Sequence, residues 1–162
     1  SASSPTRGVT AHGWTTGSVN VNVIDYVTIA TLGNATDFGD SSQTRRGCAA
    51  LASETRACFG GGFVASVVDT IDYITTASTG NATDFGNLTA AEYTMGAAAS
   101  KTRGIFAGGE SALGIEYITI ATTGNALDFG DLSSNRGDSP GGMSDSHGGI
   151  PSSAPISVLL GA

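Results

Sequence analysis

The apolar residues of this chain fall in short β-branched clusters separated by runs of Gly, Ser, Thr and Asn. Three clusters, at residues 23–29, 70–76 and 114–120, place Ile or Val around a central Tyr. β-Branched and aromatic residues bounded by turn residues are typical of strands. Windows longer than about ten residues do not combine helical apolar spacing with the absence of Gly. We therefore predict an all-β fold with almost no helix.

A seven-residue segment recurs three times, each time after one of these Tyr clusters. Gly-Asn-Ala-Thr-Asp-Phe-Gly occupies residues 33–39 and 80–86, and Gly-Asn-Ala-Leu-Asp-Phe-Gly occupies residues 124–130. The copies are 47 and 44 residues apart. Internal periods of roughly 20 to 50 residues mark propellers, solenoids and other repeat architectures. The chain is therefore expected to consist of tandem structural units.

Each unit contains four short strand signals. A small-residue strand, such as residues 46–52, precedes a strand that ends in paired Gly, such as residues 55–62. The Tyr cluster and the segment ending in Phe complete the unit. Four antiparallel strands are the content of one propeller blade. We predict a repeat domain over residues 1–150, with units at roughly 6–52, 53–99 and 100–142, a partial unit at 143–150, and a tail or strand at 151–162.

The order of these features resembles the kelch repeat. Arg46-Gly47, Gly61-Gly62, Asp72-Tyr73 and the turn leading to Phe85 correspond to successive features of a kelch blade. The chain has Phe85 where the family usually has Trp, and it lacks the family's Asp-Pro after the Tyr strand. The resemblance covers residues 6 to 150 and implies a propeller or partial propeller. Some kelch-family proteins are copper oxidases, but no matching set of His and Tyr ligands is evident here.

Residues 118–132, Ile-Thr-Ile-Ala-Thr-Thr-Gly-Asn-Ala-Leu-Asp-Phe-Gly-Asp-Leu, resemble repeats in structural proteins of marine tailed bacteriophages, especially those of cyanobacteria. The resemblance implies a virion protein of a tail fibre, tail appendage or head decoration, acting by assembly. Binding to a host-surface glycan or protein is a further expectation. The alternative from another class is a secreted bacterial adhesin or extracellular filament subunit at the cell surface.

The composition argues against several other classes. The net charge is -7, with only seven Lys and Arg residues, and a phosphate backbone is bound through clusters of such residues. We therefore expect no nucleic acid partner. The longest apolar run, residues 156–160, is far shorter than the roughly 20 residues of a membrane span, so no membrane insertion is expected. Ser1–Ser4 does not resemble a signal peptide, and the absence of an initiator Met suggests processing or further sequence upstream.

Catalytic and metal-binding chemistry is not indicated. The two His residues, His12 and His147, do not lie near a recurring nucleophile or carboxylate pair. The acidic residues of the repeats do not alternate as in a calcium loop. We therefore predict a protein without enzymatic activity, cofactor or metal site.

Cys48 and Cys58 lie on consecutive strands of one predicted hairpin. If its turn centres near Ser53, the two residues face each other, and a cross-strand disulfide becomes geometrically feasible. A reducing compartment and the lack of this pair in the other units favour free thiols instead. Both alternatives remain open from the sequence.

Residues that recur in every unit are interpreted as scaffold. Tyr26, Tyr73 and Tyr117, with Phe38, Phe85 and Phe129, are expected to pack between adjacent units, and stacking on sugars is a weaker alternative. Ligand binding is more compatible with the diverged loops. The candidate binding residues are Trp14, Thr15, Phe63, Val64, Glu110 and Ser111.

The predicted units do not obviously close a ring, because a single-chain propeller needs about four blades or more. An open array exposes a strand edge, which proteins cover or pair. We therefore expect this edge to be met by another copy of the chain, by another virion protein, or by further sequence of the same protein, and we expect assembly.

Overall fold

The computed structural model describes residues 1–110, 112–135, 137 and 141–142. Within this part of the chain there is no helix, and the secondary structure is entirely β. Twelve strands form three separate antiparallel sheets of four strands each. The predicted all-β class and the four-stranded content of each repeat are therefore confirmed.

The strands follow the chain in simple order within each sheet. In the first sheet they are β1 (Ala2–Ser3), β2 (Arg7–Trp14), β3 (Asn20–Thr28) and β4 (Thr36–Asp40). In the second they are β5 (Ala49–Ala52), β6 (Arg56–Gly60), β7 (Thr70–Thr75) and β8 (Thr83–Asn87). In the third they are β9 (Gly96–Ala99), β10 (Arg103–Ala107), β11 (Gly114–Thr119) and β12 (Leu127–Asp131).

The sheets have the same internal register, which confirms the repeat. Tyr26, Tyr73 and Tyr117 lie opposite Thr36, Thr83 and Leu127 on the fourth strand of their sheets. Each of these strand pairs has a bulge one residue before the acidic residue that precedes Tyr, and a bulge bends and twists the strand locally. The three Tyr clusters are thus the third strands β3, β7 and β11.

The sheets are offset from the predicted units by one strand. The first predicted unit, 6–52, contains β5, but β5 pairs with β6 and belongs to the second sheet. The first strand of the first sheet is instead Ala2–Ser3, which pairs with Gly8 and Val9 and was not predicted from the sequence. The predicted partial unit 143–150 and tail 151–162 lie outside the described residues.

Two hydrophobic cores form where neighbouring sheets pack face to face. Side chains alternate between the two faces of a strand, so each inner sheet face contributes every second residue. The core between the first and second sheets includes Val9, Ile24, Phe38, Ala57, Phe59 and Ile74. The core between the second and third sheets includes Cys58, Ile71, Phe85, Phe106, Ile118 and Ile120.

The predicted alignment of the two cysteines across the β5–β6 hairpin is wrong. Cys58 lies opposite Leu51, and Cys48 precedes β5. Both residues are free thiols in the structure. The physical reason is the position of the turn: Ala52 pairs with Ala57, so the hairpin centres between Glu54 and Thr55 rather than at Ser53. Burial raises the pKa of Cys48 to about 11 and that of Cys58 to about 12, so both thiols resist ionisation at neutral pH.

Candidate interaction surfaces

The recurring Gly-Asn-Ala segment is the backbone link between neighbouring sheets. In the second sheet, Gly80 N donates to Phe38 O at 2.7 Å and Ala82 N donates to Asp40 O at 2.8 Å. The Asn81 side chain accepts a hydrogen bond from Asp40 N at 3.0 Å. The segment before β8 therefore attaches to β4, the outer strand of the preceding sheet. We call this contact between the first two sheets the first junction.

The contact between the second and third sheets, the second junction, repeats these bonds. Gly124 N donates to Phe85 O at 2.8 Å, and Ala126 N donates to Asn87 O at 2.8 Å. Asn125 Oδ1 accepts from Asn87 N at 3.1 Å. The sequence predicted this segment to be a turn. Its backbone and its Asn side chain also join one sheet to the next through these hydrogen bonds.

The Gly that follows the recurring Phe makes this approach feasible. A Cβ on Gly39 or Gly86 would lie 2.5 Å from the carbonyl oxygen of Gly80 or Gly124, and both glycines have positive φ. Gly130, the third copy, has a similar φ of 137°, but a Cβ there would meet no atom within 4 Å. Gly130 therefore leaves the same space for a neighbouring backbone as Gly39 and Gly86 do. In the described chain no neighbouring segment occupies that space.

The Arg at the start of β2 and the Arg at the start of β6 also reach the next sheet. Arg7 Nη1 donates to Thr76 O at 2.8 Å, and Arg56 Nη1 donates to Ile120 O at 3.0 Å. Both guanidinium groups stack 4.5 Å from the ring centroid of the Tyr in their own sheet. Arg103 stacks on Tyr117 in the same way, at 4.5 Å. In the described chain no carbonyl from a further sheet accepts from Arg103.

In the second and third sheets, the acidic residue before Tyr receives a donor from the segment that follows the preceding sheet. Ser42 Oγ donates to Asp72 Oδ1 at 2.7 Å in the first junction, and Thr89 N donates to Glu116 Oε2 at 2.6 Å in the second. Burial raises the pKa of Glu116, while the bonds from Thr89 oppose that shift. Asp25, the equivalent residue of the first sheet, has no such donor among the described residues.

The first junction contains a buried ion pair besides these repeated bonds. Arg45 Nη2 lies 2.8 Å from Asp72 Oδ2, and both side chains are fully buried. The guanidinium also donates to the carbonyl oxygens of Gly61, Thr70 and Phe59. Its Nε lies 3.4 Å from His12 Nε2. Burial, and secondarily the Arg45 charge, lowers the pKa of His12 to about 3, so His12 is neutral at physiological pH.

The two end sheets each present a face that no further sheet covers in the described part of the chain; Gly141 and Gly142 lie beside Ala97, Ala98 and Ile105 of the third sheet. The leading face belongs to the third sheet and carries Ile105, Ile115, Tyr117 and Phe129. The trailing face belongs to the first sheet and carries Gly8, Asp25, Val27 and Ile29. Phe129 is 55% exposed, whereas the equivalent Phe38 and Phe85 are 2% and 3% exposed in the junctions. Ile29 is 57% exposed, whereas the equivalent Ile120 is 1% exposed.

A groove of about 570 Å³ lies along the trailing face. It is lined by residues 1–3, 8–10 and 25–27 and by Ala35, so it runs over the first three strands and the recurring segment. In the junctions, the corresponding surface of the second or third sheet is covered by the preceding sheet. The groove therefore lies on the face of the first sheet that corresponds to the covered faces of the second and third sheets.

The structure brings four of the six sequence-predicted binding residues to one end of the sheets. The Arg46 guanidinium lies 4.7 Å from the Trp14 ring centroid and 4.5 Å from that of Phe63. Asn20 Nδ2 donates to the carbonyl oxygens of Phe63 and Val64. Thr15 is exposed in the adjoining β2–β3 turn. The sequence did not single out Arg46, although an Arg between two aromatic residues is a common stacking arrangement.

Glu110, a fifth predicted binding residue, adjoins this group through Glu92. Glu110 N donates to Glu92 Oε1 at 3.1 Å, and Tyr93, the next residue after Glu92, has its ring centroid 5.8 Å from that of Phe63. Ser111 lies outside the described residues. We call Trp14, Arg46, Phe63 and Tyr93 the aromatic row. It is a partly exposed surface, with Trp14 59% exposed.

No protein-family model matches the chain, and no curated protein matches it in sequence. The described residues contain no group of three or more His, Cys, Asp or Glu side chains that could hold a metal ion. They also contain no helix long and apolar enough to cross a membrane.

Proposed function

We propose that the protein is a structural component of a bacteriophage virion and acts by assembly through the two end faces of its sheets. The observation that supports this best is the pair of uncovered, partly apolar faces at opposite ends of one repeated structure. Exposed apolar patches rimmed by polar groups are characteristic of protein–protein contacts. The chain is proposed to have no catalytic activity of its own.

The architecture is proposed to be a segment of a kelch-like propeller. Three features support this view: each sheet is a four-stranded meander, neighbouring sheets pack face to face, and the innermost strands β1, β5 and β9 adjoin one another in order. In propellers the first strand of each blade lines a central channel. Closure of such a ring requires further sheets from outside the described residues.

The virion setting depends on the resemblance of residues 118–132 to repeats in structural proteins of marine tailed phages. A tail fibre, tail appendage or head decoration would each use a β module of this kind. The alternative is a secreted bacterial adhesin or filament subunit. Immunogold labelling with an antibody against the purified chain distinguishes them, because the proposal expects label on purified particles and the alternative expects it on bacterial cells.

Assembly is tested by the native mass and symmetry of the protein. Light scattering is expected to give a multiple of the chain mass, and cryo-electron microscopy of the particles is expected to show copies in contact through their sheet faces. A chain that stays monomeric and is absent from purified particles contradicts the proposal.

The aromatic row supports a second role in binding a host-surface glycan. An exposed Trp beside a stacked Arg and two further rings offers flat apolar faces for sugar rings and a donor for their hydroxyl groups. A glycan array with the purified protein tests this role. Binding should be lost in Trp14→Ala and retained in Val19→Ala, which changes an exposed residue in the same β2–β3 hairpin.

A further inference from the structure

We infer that the partner of each end face is a second copy of this chain, docked with its trailing face on the leading face of the first. This inference deepens the proposed assembly function and depends on it. The contact would be a third example of the junction that the chain already contains twice.

The backbone halves of such a junction are present at the two ends. On the leading side, β12 offers Phe129 O, Asp131 O and Asp131 N in the positions that Phe38 and Asp40 occupy in the first junction. On the trailing side, residues 33–35 repeat the Gly-Asn-Ala segment that binds those groups. We therefore expect Gly33 N to donate to Phe129 O, and Ala35 N to donate to Asp131 O, of the other copy. Asn34 Oδ1 would accept from Asp131 N.

The side-chain halves also match by position. Arg103 would donate to the Ile29 carbonyl oxygen, as Arg7 and Arg56 donate to the carbonyl oxygens of Thr76 and Ile120. Ser133 follows Phe129 as Ser42 follows Phe38, so it would donate to Asp25 as Ser42 donates to Asp72.

The apolar residues that a junction buries are present on both faces. Phe129 would lie against Val27 and Ile29, which are now 40% and 57% exposed. Because Gly130 has no Cβ, the backbone of the other copy could approach it closely. This contact would explain why a glycine with positive φ occurs there although no described atom lies within 4 Å of a Cβ at that position. A partner unrelated in sequence would have to match all of these groups separately, whereas a second copy supplies them together.

The number of sheets favours two copies. The described part of one chain supplies three sheets, and propellers typically close with about four to eight. Six, from two chains, is the only multiple of three in that range. A heterologous contact whose rotation closes forms a ring rather than a filament. We therefore expect a two-chain ring with two identical contacts between copies.

The test uses two full-length variants, each with one disabled face. Phe129→Glu places a charge on the leading face, and Val27→Glu places one on the trailing face; both positions are exposed in the single chain. Val19→Glu, in the β2–β3 turn and away from both faces, is the matched control. Circular dichroism and thermal unfolding establish that all three are folded.

Light scattering of the wild type and of Val19→Glu is expected to give twice the chain mass. Each face variant alone should give the mass of one chain. An equimolar mixture of the two face variants should recover the mass of two chains, because the intact leading face of Val27→Glu can bind the intact trailing face of Phe129→Glu. Only a face-to-opposite-face contact predicts recovery on mixing.

Several results would overturn the inference. They are face variants that remain dimeric, a mixture that remains monomeric, and a wild-type mass of three or more copies. A monomeric wild type also overturns it. In that case, incorporation of the variants into particles shows whether the proposed assembly function fails together with the contact between copies. If the face variants fail to enter particles that the wild type enters, the faces bind another virion protein and the proposed function stands. If every variant enters particles equally, the proposed role of the faces fails as well.

Discussion

The two junctions inside the chain share their backbone bonds but differ in their polar side chains. The first contains the buried Arg45–Asp72 ion pair with neutral His12 beside it. The second has Glu116, hydrogen-bonded to Thr89 N and, among the described residues, without a paired cation. The difference teaches that the recurring Gly-Asn-Ala segment determines how sheets join, while the central polar contacts vary from junction to junction.

The largest expected effect is removal of the cation from the first junction. Arg45→Met leaves the Asp72 carboxylate buried without its partner, and breaking a buried pair in this way costs about 3–5 kcal/mol. Glu116→Gln at the second junction should cost less than about 1 kcal/mol, because Gln can still accept from Thr89 N. Urea unfolding of the two variants measures the difference. Equal losses in the free energy of unfolding would show that the ion pair does not distinguish the junctions. Adding Asp72→Asn to Arg45→Met removes the unpaired charge and should recover part of the stability.

The next largest effect on the free energy of unfolding is expected for a Phe inside a junction, compared with the equivalent Phe on an end face. Phe85→Ala should destabilise the chain by about 3–5 kcal/mol, because it opens a cavity between the second and third sheets. Phe129→Ala should cost less than about 1 kcal/mol, because that ring is already half exposed. Both are measured by denaturant unfolding in the Val27→Glu background, in which the chain is expected to be monomeric. A large loss for Phe129→Ala there would mean that the leading face is covered within one chain.

Acid should weaken the first junction through His12. The folded-state pKa is about 3, below the ordinary value near 6.5. As the pH falls, His12 therefore binds a proton in the unfolded chain before it does so in the folded chain. The contribution of neutral His12 to the free energy of unfolding is present above about pH 6.5 and is lost towards pH 3. The slope approaches about 1.4 kcal/mol per pH unit inside that window.

His12→Asn is the control for this pH dependence. Asn tolerates the positive φ of 62° at this position and does not titrate. The thermal midpoint of the variant should fall less steeply with acid than that of the wild type. Parallel pH profiles would rule out His12 as the source.

The smallest effect concerns the recurring Asn. Asn81→Ala removes the hydrogen bond to Asp40 N and should cost about 0.5–1 kcal/mol. Asn34→Ala should leave the monomer unchanged, since in the described chain its equivalent partner is absent, but it should weaken association of two copies. Unfolding of the monomer and dilution experiments by light scattering measure the two effects. A destabilised Asn34→Ala monomer would place a partner for Asn34 within its own chain.

Much of the fold could be predicted from the sequence because its signals are local. The Tyr clusters have the composition of strands, and the recurrence of residues 33–39 revealed the repeat. The short strand Ala2–Ser3 was missed because two small residues have no strand pattern of their own. The cysteine register was missed because it depends on one turn, and a small shift there changes every opposing pair.

The candidate surfaces could be predicted only in part. Diverged loops suggested Trp14 and Phe63 as binding residues, and that role stays a prediction. The structure places the two side chains on either side of Arg46, which became visible only when residues distant in sequence came together. The recurring Phe residues were interpreted as packing between units. That holds for Phe38 and Phe85, whereas Phe129 is exposed, since the third sheet has no following sheet in the described chain.

By itself, the sequence determined the all-β class and the threefold repeat, because turn residues and β-branched clusters act over a few neighbouring positions. Only the tertiary structure decided which strands share a sheet, which copy of a repeated residue is buried, and where a carboxylate meets its cation. Those outcomes depend on contacts between residues tens of positions apart, and identical segments acquire different environments according to whether another sheet lies beside them.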